Sequence, residues 1–311
     1  MFAQTHEAHQ ILSAIPHIQT FVPLRYLTTY HVGGSAEFFY RAKTAKDLVA
    51  ILALVRKHHI PSVILGGGSN ILFPDGIVHG LVISNELRGL DIQGQRVVVE
   101  SGFPLMKLIQ ILISRNLGGM EFMSGIPGTV GGAIRGNAGA YGQYISDYLL
   151  SATIIDGGGS MIEMTKDYFD FSYRHSRIKD TKEYILDATF VLPKGERSAL
   201  TLTMLTTLET RINKLPSGYS CGCFFKNPSR EMPASKLIEE AKLKNTRYGG
   251  AVISEQHGNY FINIADATQD DIITLTRIAK QKVLEEFGIQ LEEEVDVIQK
   301  LPQIINPSPT S

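Results

Sequence analysis

The sequence predicts an α+β fold divided between a larger and a smaller domain. The chain has 311 residues, which is enough for two domains and a sizeable core. The run Pro193–Arg197 has the Pro, Gly and charged residues typical of a linker. On its C-terminal side the pattern becomes a shorter mixture of helices and strands. We therefore place the larger domain at residues 20–195 and the smaller domain at residues 197–300.

The larger domain begins with a predicted strand, helix and strand. Thr28–Glu37 mixes β-forming residues with a Gly pair and leads into the first strand. Thr44, with Asp47 three residues later, marks the start of a helix that keeps its spacing to Lys57. Ile60–Leu65 then returns as a strand. Its carboxyl end leads into a Gly loop, which is where ligands tend to bind in such units.

The remaining elements follow from apolar spacing and from helix caps. In the larger domain we expect a strand at Arg96–Glu100, a helix from Pro104 to Asn116, a hairpin of Leu149–Asp156 with Ser160–Met164, and a strand at Tyr184–Leu192. In the smaller domain we expect helices at Ser198–Lys214, at Ala234–Ala241 and from Thr268 to Phe287, the last ended by Gly288. Strands are predicted at Ala251–Ser254, Tyr260–Ile264 and Leu291–Ile298, and a loose tail from Pro302 onward.

The loop after the second strand is Gly66-Gly67-Gly68-Ser69-Asn70. A Gly loop at this place can present successive N–H groups to a phosphate. No Gly-Lys-Ser/Thr sequence closes it, so it is not the loop of nucleoside triphosphatases. Phe73–Gly76 breaks the chain at once, which excludes the helix that follows a Rossmann-type fingerprint. By itself, the loop does not identify a ligand.

The stretch Ser124–Gly142 is the one around which the chain is organised. Seven of its nineteen residues are Gly, and most of the others are small or apolar. So much Gly is expected to prevent a helix or strand, because each Gly adds backbone entropy that folding must remove. Backbone without Cβ atoms can instead run close against a large, flat ligand. A buried turn is the alternative, and the neighbouring Gly loop favours the ligand.

Together, the two Gly stretches resemble the flavin domain of the UDP-N-acetylenolpyruvoylglucosamine reductase family, which acts in peptidoglycan precursor synthesis. The matching runs are Leu65–Leu72, Gly125–Ala133 and Asn137–Gly142. The resemblance implies an FAD-binding domain of the vanillyl-alcohol-oxidase-like type and a smaller α+β substrate-binding domain. It also implies that FAD is bound by Thr29, Gly66, Gly67, Gly68, Ser69, Asn70, Gly125, Ile126, Pro127, Gly128, Thr129, Gly131, Gly132, Ala133, Asn137 and Gly139.

Further runs resemble the family at Tyr173–Arg177, Lys214–Pro216, Gly222–Pro228 and Leu291–Val295. From this resemblance Arg174, Cys223 and Glu294 are expected to be catalytic, and Lys214 and Asn227 to bind the substrate. Each match alone has a plainer interpretation, namely a surface Arg, a small buried Cys, an acidic edge strand or a turn. Only their agreement with one motif set, from Thr28 to Val297, favours the site.

The implied reaction reduces UDP-N-acetylglucosamine enolpyruvate to UDP-N-acetylmuramate, with FAD as cofactor and NADPH as its reductant. Addition of hydride to one vinyl carbon leaves an enolate-like charge spread onto the carboxylate. A cation is needed where this charge develops, and Arg174 can supply a two-point contact. An acid must then protonate the other vinyl carbon. Glu294 is expected to hold or polarise the carboxylate, or to complete the proton path.

Three features depart from the commonest pattern of the family. Cys223 stands where the family has Ser as the proton donor. A thiol, with an ordinary pKa of about 8.5, is mostly protonated at neutral pH, so a working substitution is expected and lost activity is the alternative. An exposed thiol there would be sensitive to alkylation. Asp296 stands where members carry Arg, so any contact of that Arg must be absent or come from elsewhere. Cys223 follows Arg174 by only 49 positions (223 − 174), as in the shorter, second type without a long substrate-covering loop.

Composition limits the possible partners. The 30 basic and 31 acidic residues are nearly balanced, so no broad field favours nucleic acid or an anionic membrane. The apolar runs are too short for a membrane span, and the N-terminus lacks a secretory signal pattern. A disulfide between Cys221 and Cys223 would be strained. We expect a cytoplasmic monomer that uses a UDP-sugar and NADPH and holds no metal.

Two other functions stay open from the sequence. A flavin oxidase of the same superfold, acting on an alcohol or an aldonolactone, would share the Gly stretches but not the motifs of the smaller domain. A non-catalytic flavoprotein that binds a UDP-sugar is kept open by the Ser-to-Cys change at Cys223.

Overall fold

The structure is a computed structural model that describes residues 2–181 and 183–301. The predicted tail from Pro302 onward lies outside these residues. The α-helices of the described chain are α1 (Phe2–Ser13), α2 (Ala45–Lys57), α3 (Leu105–Ser114), α4 (Val130–Arg135), α5 (Arg197–Lys214), α6 (Ala234–Glu240) and α7 (Gln269–Phe287). None of them is long and apolar enough to cross a membrane.

The described chain also forms strands, most of them in runs between these helices. They are β1 (Gln19–Pro23), β2 (Ser35–Ala42), β3 (Ser62–Leu65), β4 (Ile71–Leu72), β5 (Ile77–Asn85), β6 (Leu90–Gln93), β7 (Arg96–Glu100), β8 (Gly139–Ala140), β9 (Gln143–Tyr144), β10 (Leu149–Ile155), β11 (Met161–Thr165), β12 (Tyr184–Val191), β13 (Arg247–Tyr248), β14 (Ala251–Ile253), β15 (Phe261–Asn263) and β16 (Asp296–Val297).

The first sheet has the strand order β1-β2-β5-β3, and β5 runs parallel to both β2 and β3. Successive residues of a strand face opposite sides, so Phe38 joins a core with α2 while Phe39 joins a second core on the other face. The capping box of Thr44 and Asp47 begins α2, as predicted. β3 is an edge strand of this sheet and runs parallel to β5. The first Gly loop begins at the carboxyl end of β3 and therefore lies at the edge of the sheet.

The second sheet is antiparallel, with the order β11-β10-β12-β7-β6. Its strands confirm the predicted hairpin and the predicted strands at Arg96–Glu100 and Tyr184–Leu192. Leu108 and Leu112 of α3 and Ile134 of α4 are fully or almost fully buried in the same core. The Gly-rich stretch therefore rests on the core of this sheet, because α3 and α4 both pack into that core.

The C-terminal part packs α6 and α7 against the small sheet β13-β14-β15. Its strands β14 and β15 confirm the predicted pair. Thr268 and Asp271 form the expected capping box of α7, and Gly288 ends that helix with a φ of +67°. After α7 the chain returns to the larger part, where β16 pairs with β4 in parallel, directly behind the first Gly loop.

Two predictions in the site region were wrong. The Gly-rich stretch does contain a helix, α4, which Thr129 caps by accepting a hydrogen bond from the Gly132 N–H at 3.4 Å. The Gly content serves close packing there, since a Cβ on Gly131 would lie 2.7 Å from the Cβ of Ser101. The strand expected at Leu291–Ile298 is reduced to β16, because the chain changes partner from Phe225, which bridges Glu293, to β4.

The segment Thr28–Glu37, which was expected to lead into a strand, also differs from expectation. Residues 28–34 are irregular, and β2 begins only at Ser35. Gly33 has a φ of +121°, and a Cβ on Gly34 would lie 1.7 Å from the carbonyl oxygen of Gly76. The Gly pair therefore serves a close crossing of two backbone segments, which prevents a regular strand at this point.

Candidate active site

The two Gly stretches meet and form one surface. The Ser69 hydroxyl donates a hydrogen bond to the carbonyl oxygen of Pro127 at 3.0 Å. A Cβ on Gly67 would lie only 2.6 Å from the Cα of Gly128, so the two backbones are in direct contact. The contact joins the end of β3 to the start of the α4 segment, 58 residues later.

This surface fits a large ligand with phosphate groups. Gly66, Gly67, Gly125 and Gly132 are exposed. Within the described residues, no N–H group at positions 66–70 donates a hydrogen bond to protein. Three buried polar atoms that find no hydrogen-bond partner among the described residues also lie here, namely Oγ of Ser124, Oδ1 of Asn137 and Nε of Arg211. Unused donors on Gly backbone, beside orphaned polar atoms, suit FAD.

Gly67→Asp is expected to abolish FAD binding, so that the protein purifies colourless. The new Cβ would collide with Gly128, and the new carboxylate would repel a phosphate. Gly94→Asp is a matched control in the turn between β6 and β7, where a Cβ meets no atom within 4 Å at a φ of +61° that Asp tolerates. The ratio of flavin to protein absorbance measures both. Full flavin occupancy in Gly67→Asp would mean that the loop is misassigned.

Several predicted cofactor residues turn their side chains toward protein. The Thr29 hydroxyl donates to the Ser220 carbonyl at 2.8 Å. The Asn70 side-chain amide donates to the Glu294 carbonyl at 3.0 Å. The Asn137 amide donates to the Ser172 carbonyl at 2.9 Å. These side chains shape the cradle from behind, and their contacts tie it to the segments that carry the predicted catalytic residues.

Arg174 and Glu294 form an ion pair at the edge of the cradle. Nε of Arg174 lies 3.0 Å from Oε1 of Glu294, and the two side chains are 25% and 18% exposed. Nη1 of Arg174 also donates to the carbonyl oxygen of Gly139 at 3.0 Å. Arg174 has a φ of +56°, an uncommon value for a residue other than Gly, and it lies in a turn closed by two hydrogen bonds between the backbones of Ser172 and His175. The guanidinium is thus fixed by a carboxylate and by the Gly-rich stretch.

Glu294 lies among several cations. Burial raises the pKa of its carboxyl above the ordinary value, and Arg174, Lys179 and Lys226 act in the opposite direction. Burial lowers the pKa of the Lys179 ammonium below its ordinary value. Among the charged neighbours, Asp296 opposes this shift most strongly. The site is therefore a partly desolvated group of charges of both signs.

Cys223 lies beside this pair with its thiol protonated. It is part-buried and forms an isolated bridge with Tyr260. Burial, with a smaller contribution from Glu294, raises the pKa of the thiol to about 12, while Arg174 and Arg211 oppose the shift. Cys221, two residues earlier, is buried in the core and donates its S–H to the Ile71 carbonyl at 3.4 Å. The two sulfur atoms thus have different surroundings, as expected from an extended segment.

Cys223 is expected to react slowly with iodoacetamide at neutral pH, which replaces the expectation of an alkylation-sensitive thiol. Only the thiolate reacts, so with a pKa of about 12 the rate should rise roughly tenfold per pH unit between pH 7 and pH 10. Mass spectrometry of a Cys221→Ala protein measures the rate at Cys223 alone. A rate that levels off near pH 9 would contradict the raised pKa.

The two residues predicted to bind the substrate, Lys214 and Asn227, lie on the protein surface. Lys214 is exposed at the end of α5 and forms no ion pair with the residues that the structure describes. Asn227 is exposed too, and its side-chain oxygen accepts a hydrogen bond from the N–H of Ala234 at the start of α6. The Asn227 N–H lies 3.3 Å from the hydroxyl of Tyr173. Among the described residues the Lys214 ammonium has no ion-pair partner, whereas Asn227 keeps only its amide donors.

Sequence reasoning missed three charged residues of the site. Arg211 lies one helical turn before Lys214, with its Cδ 3.0 Å from where a Cβ of Gly125 would be. Helical spacing from the matched Lys214 was a signal that could have found it. Lys179 and Arg135 had no such signal. Arg135 pairs with Asp296 at 2.6 Å, which accounts for the unexpected carboxylate at that position.

Comparisons with known proteins show which families the chain resembles. Residues 213–298 match the family model described as UDP-N-acetylenolpyruvoylglucosamine reductase, C-terminal domain, and residues 36–165 match that of an FAD binding domain. The UDP-N-acetylenolpyruvoylglucosamine reductase of Clostridium novyi is 37% identical over 90% of this chain and 92% of its own. Reductase 2 of Bacillus cereus is 34% identical over 94% and 97%.

One solved structure is similar to most of this chain. The crystal structure of UDP-N-acetylenolpyruvylglucosamine reductase from Thermus caldophilus superimposes with a TM-score of 0.77 and 30% identity. The match covers 90% of this chain and 98% of that chain. Both domains are therefore included in the likeness.

Proposed function

The chain belongs to the UDP-N-acetylenolpyruvoylglucosamine reductase family, and we propose that it reduces UDP-N-acetylglucosamine enolpyruvate to UDP-N-acetylmuramate in peptidoglycan precursor synthesis. The observation that carries the proposal is the Arg174–Glu294 pair at 3.0 Å beside the protonated thiol of Cys223. Asn70 ties the carbonyl of Glu294 to the first Gly loop at 3.0 Å. A fixed cation, a carboxylate and a proton donor are thereby held next to the cradle for FAD.

We assign FAD binding to residues 20–195 and substrate binding to residues 197–300. The family matches at 36–165 and 213–298 fall within these limits and support the assignment. The exposed backbone of the two Gly stretches would hold FAD, with Ile126, Ala133 and Thr129 completing its wall. FAD held there would supply hydride-transfer chemistry, with NADPH as its reductant.

Arg174 would stabilise the charge that develops on the substrate. Hydride addition to a vinyl carbon places negative charge on the adjacent carbon and its carboxylate. A guanidinium that is already held by Glu294 and Gly139 needs little rearrangement to meet that charge. Glu294 would keep Arg174 in place and orient the substrate carboxylate through the cations around it.

Cys223 would deliver the proton that completes the reduction. Its raised pKa keeps the thiol protonated at neutral pH, so the donor is present in nearly every molecule. Arg174 and Arg211 lower the cost of the thiolate that remains, and solvent can restore its proton after product leaves. The same burial makes Cys223 a weaker acid than an ordinary thiol, which brings it closer to the Ser of the common pattern.

Lys214 and Asn227 would bind the UDP-sugar. The exposed ammonium of Lys214 suits a diphosphate, and the side-chain amide of Asn227 can donate to phosphate or sugar oxygens. Both belong to the substrate half of the proposed division.

The test follows flavin, NADPH and product together. Purified protein should show a flavin spectrum, and NADPH should bleach it in the absence of oxygen. With the enolpyruvyl UDP-sugar added, NADPH consumption should equal the UDP-N-acetylmuramate found by mass spectrometry. NADPH consumption without that product would contradict the proposal.

Oxygen distinguishes the reductase from a flavin oxidase of the same superfold. A reductase should be reoxidised faster by the enolpyruvyl substrate than by air, whereas an oxidase should be reoxidised fastest by oxygen. A UDP-sugar-binding flavoprotein without activity should shift its spectrum with the substrate and yet stay reduced. The comparison needs only the wild-type protein.

Location and assembly are also part of the proposal. Precursors that carry UDP are made in the cytoplasm, so we place the protein there. A monomer suffices, because Arg174, Cys223 and Glu294 all come from one chain.

A further inference from the structure

Arg135 joins the Gly-rich stretch to the strand that follows Glu294. Its Nη1 lies 2.6 Å from Oδ2 of Asp296, and its Nη2 lies 3.5 Å from Oδ1, so the contact has two points. Arg135 is the last residue of α4, and Asp296 is the first residue of β16. The pair therefore connects residues that are 161 positions apart.

The segment that carries Glu294 is held on its other side by the first Gly loop. The side-chain amide of Asn70 donates to the Glu294 carbonyl, and the Asp296 N–H donates to the Asn70 carbonyl, both at 3.0 Å. These bonds fix the main chain of the segment but leave its side chains to other partners. Arg135 is the partner that fixes one of those side chains.

Glu294 and Asp296 are half-buried on either side of the buried Val295, and both carboxylates act on Lys179, so they face the same region. Each meets an Arg: Glu294 meets Arg174 at 3.0 Å and Asp296 meets Arg135 at 2.6 Å. Both guanidinium groups depend on the same stretch, since Arg174 donates to the Gly139 carbonyl and Arg135 is part of α4. Two ion pairs thus attach this segment to the stretch that lines the cradle.

A third cation interacts with both carboxylates. Lys179 is close enough to both Asp296 and Glu294 to interact with each, and it forms no ion pair with a described residue. The remaining groups that face Glu294 are Lys226, Cys223 and Tyr260. Lys179 acts on Asp296 even though Arg135 is paired with it, so Arg135 is the cation whose two-point contact fixes the Asp296 side chain.

We propose that the Arg135–Asp296 ion pair is a positioning pair for Glu294, which holds the segment from Glu294 to Asp296 against the flavin cradle. The inference rests on the proposed role of Glu294. A part-exposed ion pair adds little stability, and its side chains here are 38% and 35% exposed. Its effect is therefore expected on geometry and charge rather than on the stability of the fold.

Arg135→Met tests this inference, because it removes the charge and keeps an unbranched side chain. Substrate-driven reoxidation of the reduced flavin should slow by about 10- to 100-fold, the usual effect of a displacement near 1 Å. Bleaching by NADPH should stay within about twofold of wild type. Combining Arg135→Asp with Asp296→Arg restores an ion pair and should recover part of the lost rate relative to either single change.

Lys280→Met is the matched control. Lys280 pairs with Glu293, the residue before Glu294, at 2.9 Å, and these side chains are 36% and 34% exposed. This control removes an equally exposed ion pair from the same segment, on the side of α7. It should leave both half-reactions unchanged. Equal slowing by Arg135→Met and Lys280→Met would overturn the proposal.

Hydrogen exchange of the oxidised, FAD-loaded protein gives a readout that needs no turnover. In Arg135→Met, peptides that contain the Asp296 N–H should exchange faster than in wild type, and in Lys280→Met they should not. Unchanged exchange in Arg135→Met would overturn the positioning role even if activity fell. If wild-type protein forms no UDP-N-acetylmuramate, the proposed function fails while the exchange result still decides the positioning role.

Discussion

Cys223→Ala should bind FAD and be bleached by NADPH at a normal rate, yet its reoxidation by the enolpyruvyl UDP-sugar should fall by roughly 10²–10⁴, the contribution of one positioned acid. The reason is local: burial keeps the Cys223 thiol protonated with a pKa of about 12. Alanine removes that proton source while the Arg174–Glu294 pair remains. Stopped-flow absorbance of the flavin measures each half-reaction separately.

Two cysteine variants serve as controls for this result. Cys223→Ser should retain much of the activity, since a buried hydroxyl can occupy the same position and also carries a proton. Cys221→Ala should keep both half-reactions, because its S–H donates to the Ile71 carbonyl within the core. Normal turnover by Cys223→Ala would mean that another group delivers the proton. Tyr260, which bridges Cys223, would then be the next residue to replace.

Arg174→Lys should slow the substrate half-reaction by about 10²–10³, the usual cost of losing one donor to a developing anion. The positive charge remains, but a single ammonium cannot meet Glu294 at 3.0 Å and donate to the Gly139 carbonyl at 3.0 Å in the planar arrangement of a guanidinium. Bleaching by NADPH should be nearly normal, since the flavin cradle is built from other residues.

Arg41→Lys provides the comparison for Arg174→Lys. Arg41 pairs with Glu86 on the first sheet, so the same substitution is made in an ion pair of another region. It should change neither half-reaction. If Arg174→Lys slowed bleaching and reoxidation equally, the defect would lie in folding or flavin binding, and the assigned role of Arg174 would be wrong.

Much of the fold could be predicted because its signals are local. The capping boxes of Thr44 and Thr268 are complete within four residues, and both helices begin where these boxes predict. The hairpin of β10 and β11 is set by its Gly turn. The strand β5 was missed because Gly80 interrupts an apolar run that is buried between β2 and β3 and therefore does not alternate.

In the candidate site, only the residues that belong to sequence motifs could be predicted. Arg174, Cys223 and Glu294 were selected by resemblance, and the structure brings their side chains into one region. The pairing of Arg135 with Asp296 could not be predicted, because the two residues are 161 positions apart and each alone resembles a solvated charge. The helix α4 was missed for a related reason: the packing of Gly131 on Ser101 that compensates for its Gly content is a tertiary contact.

A single turnover without oxygen tests the central claim most directly. The wild-type protein is reduced with limiting NADPH and mixed with the enolpyruvyl UDP-sugar, while flavin absorbance and quenched product are followed together. We predict that the return of oxidised flavin and the appearance of UDP-N-acetylmuramate share one rate constant and reach equal amounts. Flavin that stays reduced until air is admitted, or that reoxidises without forming UDP-N-acetylmuramate, would contradict the claim.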